Sequence, residues 1–190
     1  LSLRQSVAKR MIACLAIMQS GYYLMGILVL DQVGLGAVLY NVVIDLFSLM
    51  GAYAVISYFF AAVGSDRFVD LRGMLRRDTF STFAFLAFAL SLVGIPPAPG
   101  CMGKFTLIGS AIRHGWWPLA IVAIAVIPIA SISIARLAYH LVGDFVLTAG
   151  DGRFVSTESE ETRNGHRLFI IAMVVPLLLL GVFAQQGLNF

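Results

Sequence analysis

The chain has 190 residues, of which 59% are hydrophobic and only 12% carry a charge. This composition excludes a soluble domain and predicts a polytopic helical membrane protein, since the ten-residue alternation of a membrane β-barrel is missing. The net charge of +3 comes from basic residues in membrane-flanking segments, so it gives no support for nucleic-acid binding.

The first two predicted spans follow a short basic lead-in, residues 1–10. The first span covers residues 11–30 and contains Gln19. After a turn at Asp31 and Gln32, the second span covers residues 33–63, which is long enough to tilt or to project beyond the bilayer. Its single charged residue is Asp45.

A charged connector, residues 64–78, leads to a third span, residues 79–112. These 34 residues would form a helix of about 51 Å, whereas a bilayer core is about 30 Å thick. Prolines and permissive glycines interrupt the span, so we expect two half-helices, 79–93 and 101–112, with a break over 94–100. Irregular backbone at that depth must pack in protein or line a wet cavity. The residues of the break are Gly94, Pro96, Pro97, Pro99, Gly100 and Gly103.

Two further spans complete the predicted fold. Trp116 and Trp117 suit a membrane interface and precede a fourth span, residues 118–142, with Pro128 near its centre. A polar loop, residues 143–167, separates it from a fifth span, residues 168–187. We therefore expect one all-α transmembrane domain over residues 1–190, with five membrane crossings of which the third is discontinuous.

The basic residues predict the orientation of the chain. Arg113 alone lies in a connecting segment on one side, whereas ten basic residues lie on the other. Those ten are Arg4, Lys9, Arg10, Arg67, Arg72, Arg76, Arg77, Arg153, Arg163 and Arg167. We expect the N-terminus to face the cytoplasm or matrix and the C-terminus to face the opposite side.

Three polar residues fall near one plane inside the membrane. Counting from the span ends places Lys104 and Gln19 at a depth of roughly 14 Å and Asp45 at roughly 18 Å. An ionisable group at such depth is expensive and usually functional, so Lys104 is a candidate proton or ion site. The alternative is a lysine that snorkels or neutralises a structural carboxylate. Pairing with Asp45 would lower the cost of both charges, but the helix rotations that decide it stay open.

Two other polar groups have an ordinary reading beside the functional one. Gln19 is either a hydrogen-bonding residue between helices or a member of a proton relay. His140 follows Arg136 by four residues on one helix face near the inner surface. It is either an interfacial histidine or a group that takes up protons.

The sequence contains no motif of soluble catalysis or of metal binding. Dinucleotide, phosphate-loop and zinc-protease patterns are missing, and Cys14 and Cys101 lie in apolar runs without disulfide or metal spacing. No cleavage site follows the first apolar run, so we expect no signal peptide. Because the chain begins at Leu1, we expect a processed, truncated, split or incompletely described polypeptide.

Four segments carry a resemblance to a known family. They are Lys9-Arg10-Met11 with Gly21-Tyr22, residues 70–77 (DLRGMLRR), residues 91–105 (SLVGIPPAPGCMGKF) and Gly181-Val182-Phe183. They resemble, in order, the family's Lys-Arg and Gly-Tyr pair, DLRGLxRR, SLAGIPPxxGxxGKF and LGIF. Together they resemble the C-terminal part of the antiporter-like membrane subunit N (mitochondrial subunit 2) of NADH–quinone oxidoreductase, respiratory complex I. Related subunits often carry glutamate at the position of Lys104, which favours subunit N.

The resemblance implies a membrane-arm subunit, or a split C-terminal fragment of one, that takes part in redox-coupled proton translocation. Lys104 matches the family's lysine on the proton path, near the outer exit. The resemblance implies no cofactor on this chain, because NADH, FMN, iron–sulfur clusters and quinone belong to the rest of the complex. Enzyme activity would belong to the assembly. The implied location is the mitochondrial inner membrane or a bacterial plasma membrane.

The sequence departs from the family in two ways. Gln19 stands where the family usually has histidine, and glutamine cannot titrate. The glutamate and lysine of the family's input half-channel have no counterpart, so we expect other membrane subunits as partners, including a chain that supplies the missing half. The alternatives are a subunit of a related cation/proton antiporter or ion-translocating hydrogenase, and a structural membrane subunit with a degenerate channel.

Overall fold

The computed structural model describes residues 7–65, 67, 70, 71, 78–96, 98–142 and 160–187. Pro97 and the predicted loop from residue 143 to 159 lie outside this part of the chain. The described residues form six helices, which confirms the all-α prediction. These helices are α1 (Ala8–Val29), α2 (Gln32–Val63), α3 (Thr79–Val93), α4 (Pro99–Arg113), α5 (Trp117–Val142) and α6 (Glu160–Gly187).

Three of the helices are long and apolar enough to cross a membrane. They are α1, α2 and the segment Trp117–Leu141 of α5, whereas α3 and the segment Gly165–Gly181 of α6 are shorter apolar helices. Large apolar side chains also cover the outside of the bundle. Leu39 is 65% exposed and Ile121 is 63% exposed, as expected of a surface that faces lipid.

Most helix ends follow from local chemistry. Leu30 follows α1 and Gly64 follows α2. Both residues adopt the left-handed conformation that closes a helix C-terminus. The Asp78 carboxylate caps α3 by accepting hydrogen bonds from the Ser81 N–H (3.3 Å) and the Ser81 hydroxyl (2.7 Å). Pro99 occupies the first turn of α4, where its missing N–H leaves no hydrogen bond unmade.

The last helix begins earlier than predicted. The prediction placed residues 160–167 in a polar loop, but α6 already begins at Glu160. Two contacts hold these extra turns against the bundle. His166 stacks on Tyr58 of α2 with a centroid distance of 4.5 Å, and Arg167 pairs with the Asp78 carboxylate at 3.7 Å. Tertiary contacts therefore extend the helix into a segment that is polar in sequence.

α2 makes the most extensive contacts, packing against α1, α3, α4 and α6, while α4 packs against all five other helices. Two apolar clusters fill the space around α2. One surrounds Phe59, Phe85 and Phe88, and the other surrounds Leu107 and Val38. Between the α2 residues of these two clusters, α2 carries three buried polar residues, Asn41, Asp45 and Ser48. A polar layer thus lies between two apolar layers.

Candidate functional site

The interruption between α3 and α4 leaves the Leu92 carbonyl without a helical hydrogen-bond donor. In a continuous helix the Leu92 carbonyl would accept a hydrogen bond from the N–H of residue 96, but Pro96 has no N–H. Two side-chain donors replace the missing N–H. Lys104 Nζ donates to the Leu92 oxygen, and Gln19 Nε2 donates to the same oxygen at 2.6 Å. The end of α3 therefore supplies the acceptor that holds the lysine.

Lys104 reaches this carbonyl by crossing over a glycine. Its side chain is only 1% exposed, and its Nζ lies 5.3 Å from the centre of the Tyr22 ring. Gly94 has φ +80°, and a Cβ at this position would lie 2.8 Å from Lys104 Cδ. Glycine is required here both for the left-handed backbone and for the passage of the lysine side chain.

Asp45 is the second buried charged residue of the site. Tyr23 donates from its hydroxyl to Asp45 Oδ2 at 2.6 Å, and Asn41 donates from Nδ2 to the same oxygen at 3.4 Å. Gln19 Nε2 donates to Asp45 Oδ1 at 3.3 Å. Both carboxylate oxygens therefore have protein donors, as a carboxylate that is 1% exposed requires.

Lys104 and Asp45 do not form a direct ion pair, although their similar depth made one possible. No contact within 4.0 Å joins the two charged groups in this described region. Instead the Gln19 amide donates both to Asp45 and to the carbonyl that Lys104 also uses. The helix interruption supplies an acceptor nearer to the ammonium, so glutamine connects the two charges. We call these four groups, Lys104, the Leu92 carbonyl, Gln19 and Asp45, the polar network.

Close backbone packing fixes the position of α4 beside the polar network. A Cβ at Gly103 would lie 2.6 Å from Asn41 Oδ1, and one at Gly100 would collide with the Ser91 carbonyl. On another side, a Cβ at Gly181 would lie 2.7 Å from Pro99 Cγ. Gly100 and Gly103 of the predicted break thus allow α3 and α2 to approach α4, and Gly181 allows α6 to do so.

Several buried polar atoms near the network have spare hydrogen-bonding capacity. Gln19 Oε1, Asn41 Oδ1, Ser48 Oγ and Ser91 Oγ have no hydrogen-bond partner within the described residues. Buried polar atoms are almost always paired, and when they are not, the site usually serves water or a functional group. The network and its polar neighbours therefore have hydrogen-bonding capacity that the described residues do not use.

The structure brings together three of the four predicted path residues, Lys104, Asp45 and Gln19. His140 lies elsewhere. Ala123 of α5 meets the site by accepting a hydrogen bond from the Tyr22 hydroxyl at 2.8 Å. His140 is 17 residues farther along that helix, or about 26 Å. Its part in a proton path stays a prediction.

Sequence reasoning missed three participants, the Leu92 carbonyl, Tyr23 and Asn41. The carbonyl was foreseeable, because Pro96 stands four residues after Leu92. Asn41 precedes Asp45 by four residues and so shares its helix face. Tyr23 had a weaker signal, since its contact with Asp45 depends on how α1 and α2 are rotated against each other.

A smaller polar contact lies at the other end of α4. Ser110 donates from its hydroxyl to Asp31 Oδ2 at 3.0 Å, and His114 Nδ1 lies 3.0 Å from the Ser110 carbonyl. Desolvation raises the pKa of Asp31. The hydrogen bonds from Ser110 and from the Val33 and Gly34 backbone, with the attraction of His114, outweigh it and hold the pKa below its usual range. This contact joins the α1–α2 turn to α4.

Nothing in the described ranges suggests a resident metal ion. No three histidine, cysteine, aspartate or glutamate side chains within those ranges lie together so that they could share an ion. Asp45 has no second carboxylate among the partners that its hydrogen bonds define. The network is built from one ammonium, one carboxylate and neutral amide and hydroxyl groups.

Known proteins match this chain over most of its length. The profile of the family described as NADH:quinone oxidoreductase/Mrp antiporter, transmembrane, matches residues 1–130. NADH-quinone oxidoreductase subunit N of Moorella thermoacetica is 33% identical over 186 residues, 98% of this chain and 38% of the relative. The chain thus spans less than half the length of this relative.

Two solved structures share the fold. A chain of the Mrp complex from Dietzia sp. DQ12-45-1b superposes with a TM-score of 0.82 at 20% identity, covering 98% of this chain and 42% of that one. A chain of respiratory complex I from Thermus thermophilus with bound aureothin gives a TM-score of 0.70 at 24% identity, covering 95% and 39%. The profile match extends over most of the sequence. The chain is an integral membrane protein and belongs to the NADH:quinone oxidoreductase/Mrp antiporter transmembrane family.

Proposed function

We propose that this chain forms the C-terminal part of a subunit N of respiratory complex I and takes part in proton translocation coupled to NADH:quinone electron transfer. The observation that carries the proposal is the buried polar network, in which Lys104 and Asp45 are joined through Gln19 and a free carbonyl. A buried lysine linked to a buried carboxylate inside an apolar bundle is the arrangement that proton exchange within a membrane needs.

The proposed topology has five crossings within one domain, residues 1–190. α3 and α4 together make the third crossing, because each alone has 15 residues and spans only about 23 Å. The N-terminus faces the cytoplasm or matrix and the C-terminus faces the opposite side, as the basic residues favour. The polar network then lies at the interruption of this crossing, far from both surfaces.

In the proposed mechanism, the charge of Asp45 controls the proton on Lys104. An ionised Asp45 attracts the Lys104 ammonium through an interior where charges are weakly screened. When Asp45 takes up a proton this attraction is lost, and release of the proton from Lys104 becomes easier. Gln19 cannot titrate, so it positions the two groups, and water at the unpaired atoms of Ser48 and Ser91 would carry the proton between them.

The rest of the proposal concerns the assembly. Other membrane subunits of complex I are the partners. NADH, FMN, iron–sulfur clusters and quinone stay with other subunits, so this chain has no redox site of its own. The membrane is the mitochondrial inner membrane or a bacterial plasma membrane.

Lys104→Met tests the proposal, because methionine keeps most of the side-chain volume and removes the charge. NADH oxidation and proton uptake would be measured in vesicles that contain the assembled complex. We expect the number of protons moved per NADH to fall to less than half, since the titrating group is gone. Thr106→Ala is the matched control, because it removes a hydroxyl that bonds only to the Met102 carbonyl on the same helix.

Unchanged proton pumping by an assembled Lys104→Met complex would contradict the proposal and favour a structural subunit with a degenerate channel. A second candidate function is a subunit of an Mrp-type cation/proton antiporter, because the Mrp chain superposes with the higher TM-score. Sodium-driven proton exchange without NADH would support that candidate. An ion-translocating hydrogenase would instead copurify hydrogenase activity.

A further inference from the structure

An apolar groove lies on the surface of the bundle, lined by α1, α2 and α6. It has a volume of about 470 Å³, within the range of about 300–1,000 Å³ that ligand pockets occupy. α1 contributes the small side chains Ala13 and Ala16, and α2 contributes Met50, Tyr53 and Ala54. Phe169 of α6 also lines it.

The groove lies near the basic end of the bundle. Ala13 and Ala16 are four and seven residues after Lys9, so all three share one face of α1. Lys9 Nζ lies 3.9 Å from the centre of the Phe60 ring of α2, and Phe60 is seven residues after Tyr53. The ammonium therefore stands between the two helices that form the groove, about one turn beyond its end.

Further positive charge surrounds this end. Arg10 is exposed, and a β-bridge between Val7 and Arg67 brings a second exposed arginine to the first turn of α1. No carboxylate among the described residues lies within 4.0 Å of Lys9. Two carboxylates of the connector are described. Asp70 accepts a hydrogen bond from the Ser65 hydroxyl, and Asp78 pairs with Arg167. Among the described residues, Lys9, Arg10 and Arg67 thus place positive charge at the mouth of the groove.

We propose that this groove binds an anionic phospholipid. One acyl chain lies along Ala13, Ala16 and Tyr53, and the phosphate lies at Lys9 with Arg10 and Arg67 beside it. The ammonium carries three donors, and the face of Phe60 is an aromatic surface that leaves them free for phosphate oxygens. The groove has apolar walls at acyl-chain depth and positive charge at headgroup depth, which is the charge pattern of basic lipid sites between helices. The inference is independent of proton translocation.

Lipid retention by the intact complex tests this site. The complex would be purified from nanodiscs containing phosphatidylglycerol and phosphatidylcholine, and tightly bound lipid would be counted by mass spectrometry. Lys9→Gln is expected to lower phosphatidylglycerol retention about fivefold, the effect of one lysine at a membrane surface. Arg113→Gln removes the same charge from the other end of the bundle and is expected to change nothing.

A second measurement identifies the occupant directly. A benzophenone side chain at position 13, which is exposed and lines the groove, is expected to crosslink to phospholipid. Crosslinking to a polypeptide instead would show that a protein helix fills the groove and would overturn the proposal. Equal phosphatidylglycerol retention in Lys9→Gln and Arg113→Gln complexes would also overturn it.

Discussion

The stretch between α3 and α4 and the helix α5 both contain proline inside an apolar segment, but only the first interrupts the helix. α6 contains Pro176 and stays helical, as α5 does. Between α3 and α4 the chain leaves helical geometry at Gly94 and resumes it at Pro99. α5 contains Pro128 and stays helical from Trp117 to Val142. A single proline removes one hydrogen bond, whereas the first region combines three prolines with a left-handed glycine.

The two regions also differ in where the side chains that donate to their backbone carbonyls come from. Local hydroxyls supplement the backbone of α5, because Ser131 donates to the Ile127 carbonyl at 2.8 Å and Ser133 to the Ile129 carbonyl at 3.1 Å. At the interruption, side chains from α1 and α4 take over the Leu92 carbonyl. A helix interruption becomes a site when its free carbonyl attracts a charged group from another segment.

The largest expected effect comes from pushing α4 away from α2. In Gly103→Ala the new Cβ meets Asn41 Oδ1 at 2.6 Å, and Asn41 Cβ and Cγ at 3.1 Å. Asn41 is fully buried, so it has little room to move, and we expect a loss of about 1–3 kcal/mol in folding stability together with weaker pumping. Thermal stability of the purified complex measures the first effect.

Gly109→Ala is the matched control on the same helix. A Cβ at Gly109 meets nothing within 4 Å, and alanine favours helix over glycine by about 1 kcal/mol. Equal or higher stability is therefore expected. If both variants lose the same stability, close packing beside the network is not what makes glycine necessary at position 103.

A smaller effect is expected when the amide lost at the interruption is restored. Pro96→Ala provides an N–H that reaches the Leu92 carbonyl only when α3 extends through Gly94, and in that conformation it competes with Lys104 and Gln19 for the carbonyl. A backbone hydrogen bond is worth roughly 0.5–1.5 kcal/mol net, so proton pumping is expected to fall about two- to tenfold. Pro128→Ala restores an amide in α5 and is expected to leave pumping unchanged. A loss of equal size in both would remove the distinction between the two regions.

Much of this arrangement was readable from the sequence. The predicted bounds of the half-helix before the break, residues 79–93, match α3, and α4 begins at Pro99 instead of Cys101. The uncharged run and the prolines carried that information. Lys104 and Asp45 stood out because charges inside apolar runs are rare.

Other features depended on tertiary contacts. Sequence depth placed Lys104 and Asp45 at one level but could not give helix rotation, so the indirect connection through Gln19 was not predictable. The early beginning of α6 depends on Arg167 meeting Asp78, a residue 89 positions away. Such contacts are formed between segments and leave no periodic signal in either one.

The central claim is that Lys104 and Asp45 act as one unit in proton translocation. The most direct measurement is the number of protons moved per NADH in Lys104→Met, Asp45→Asn and the double variant. Because linked residues are not additive, we expect the double variant to pump as poorly as the worse single variant and no worse. Losses that multiply in the double variant would show independent action and would contradict the account.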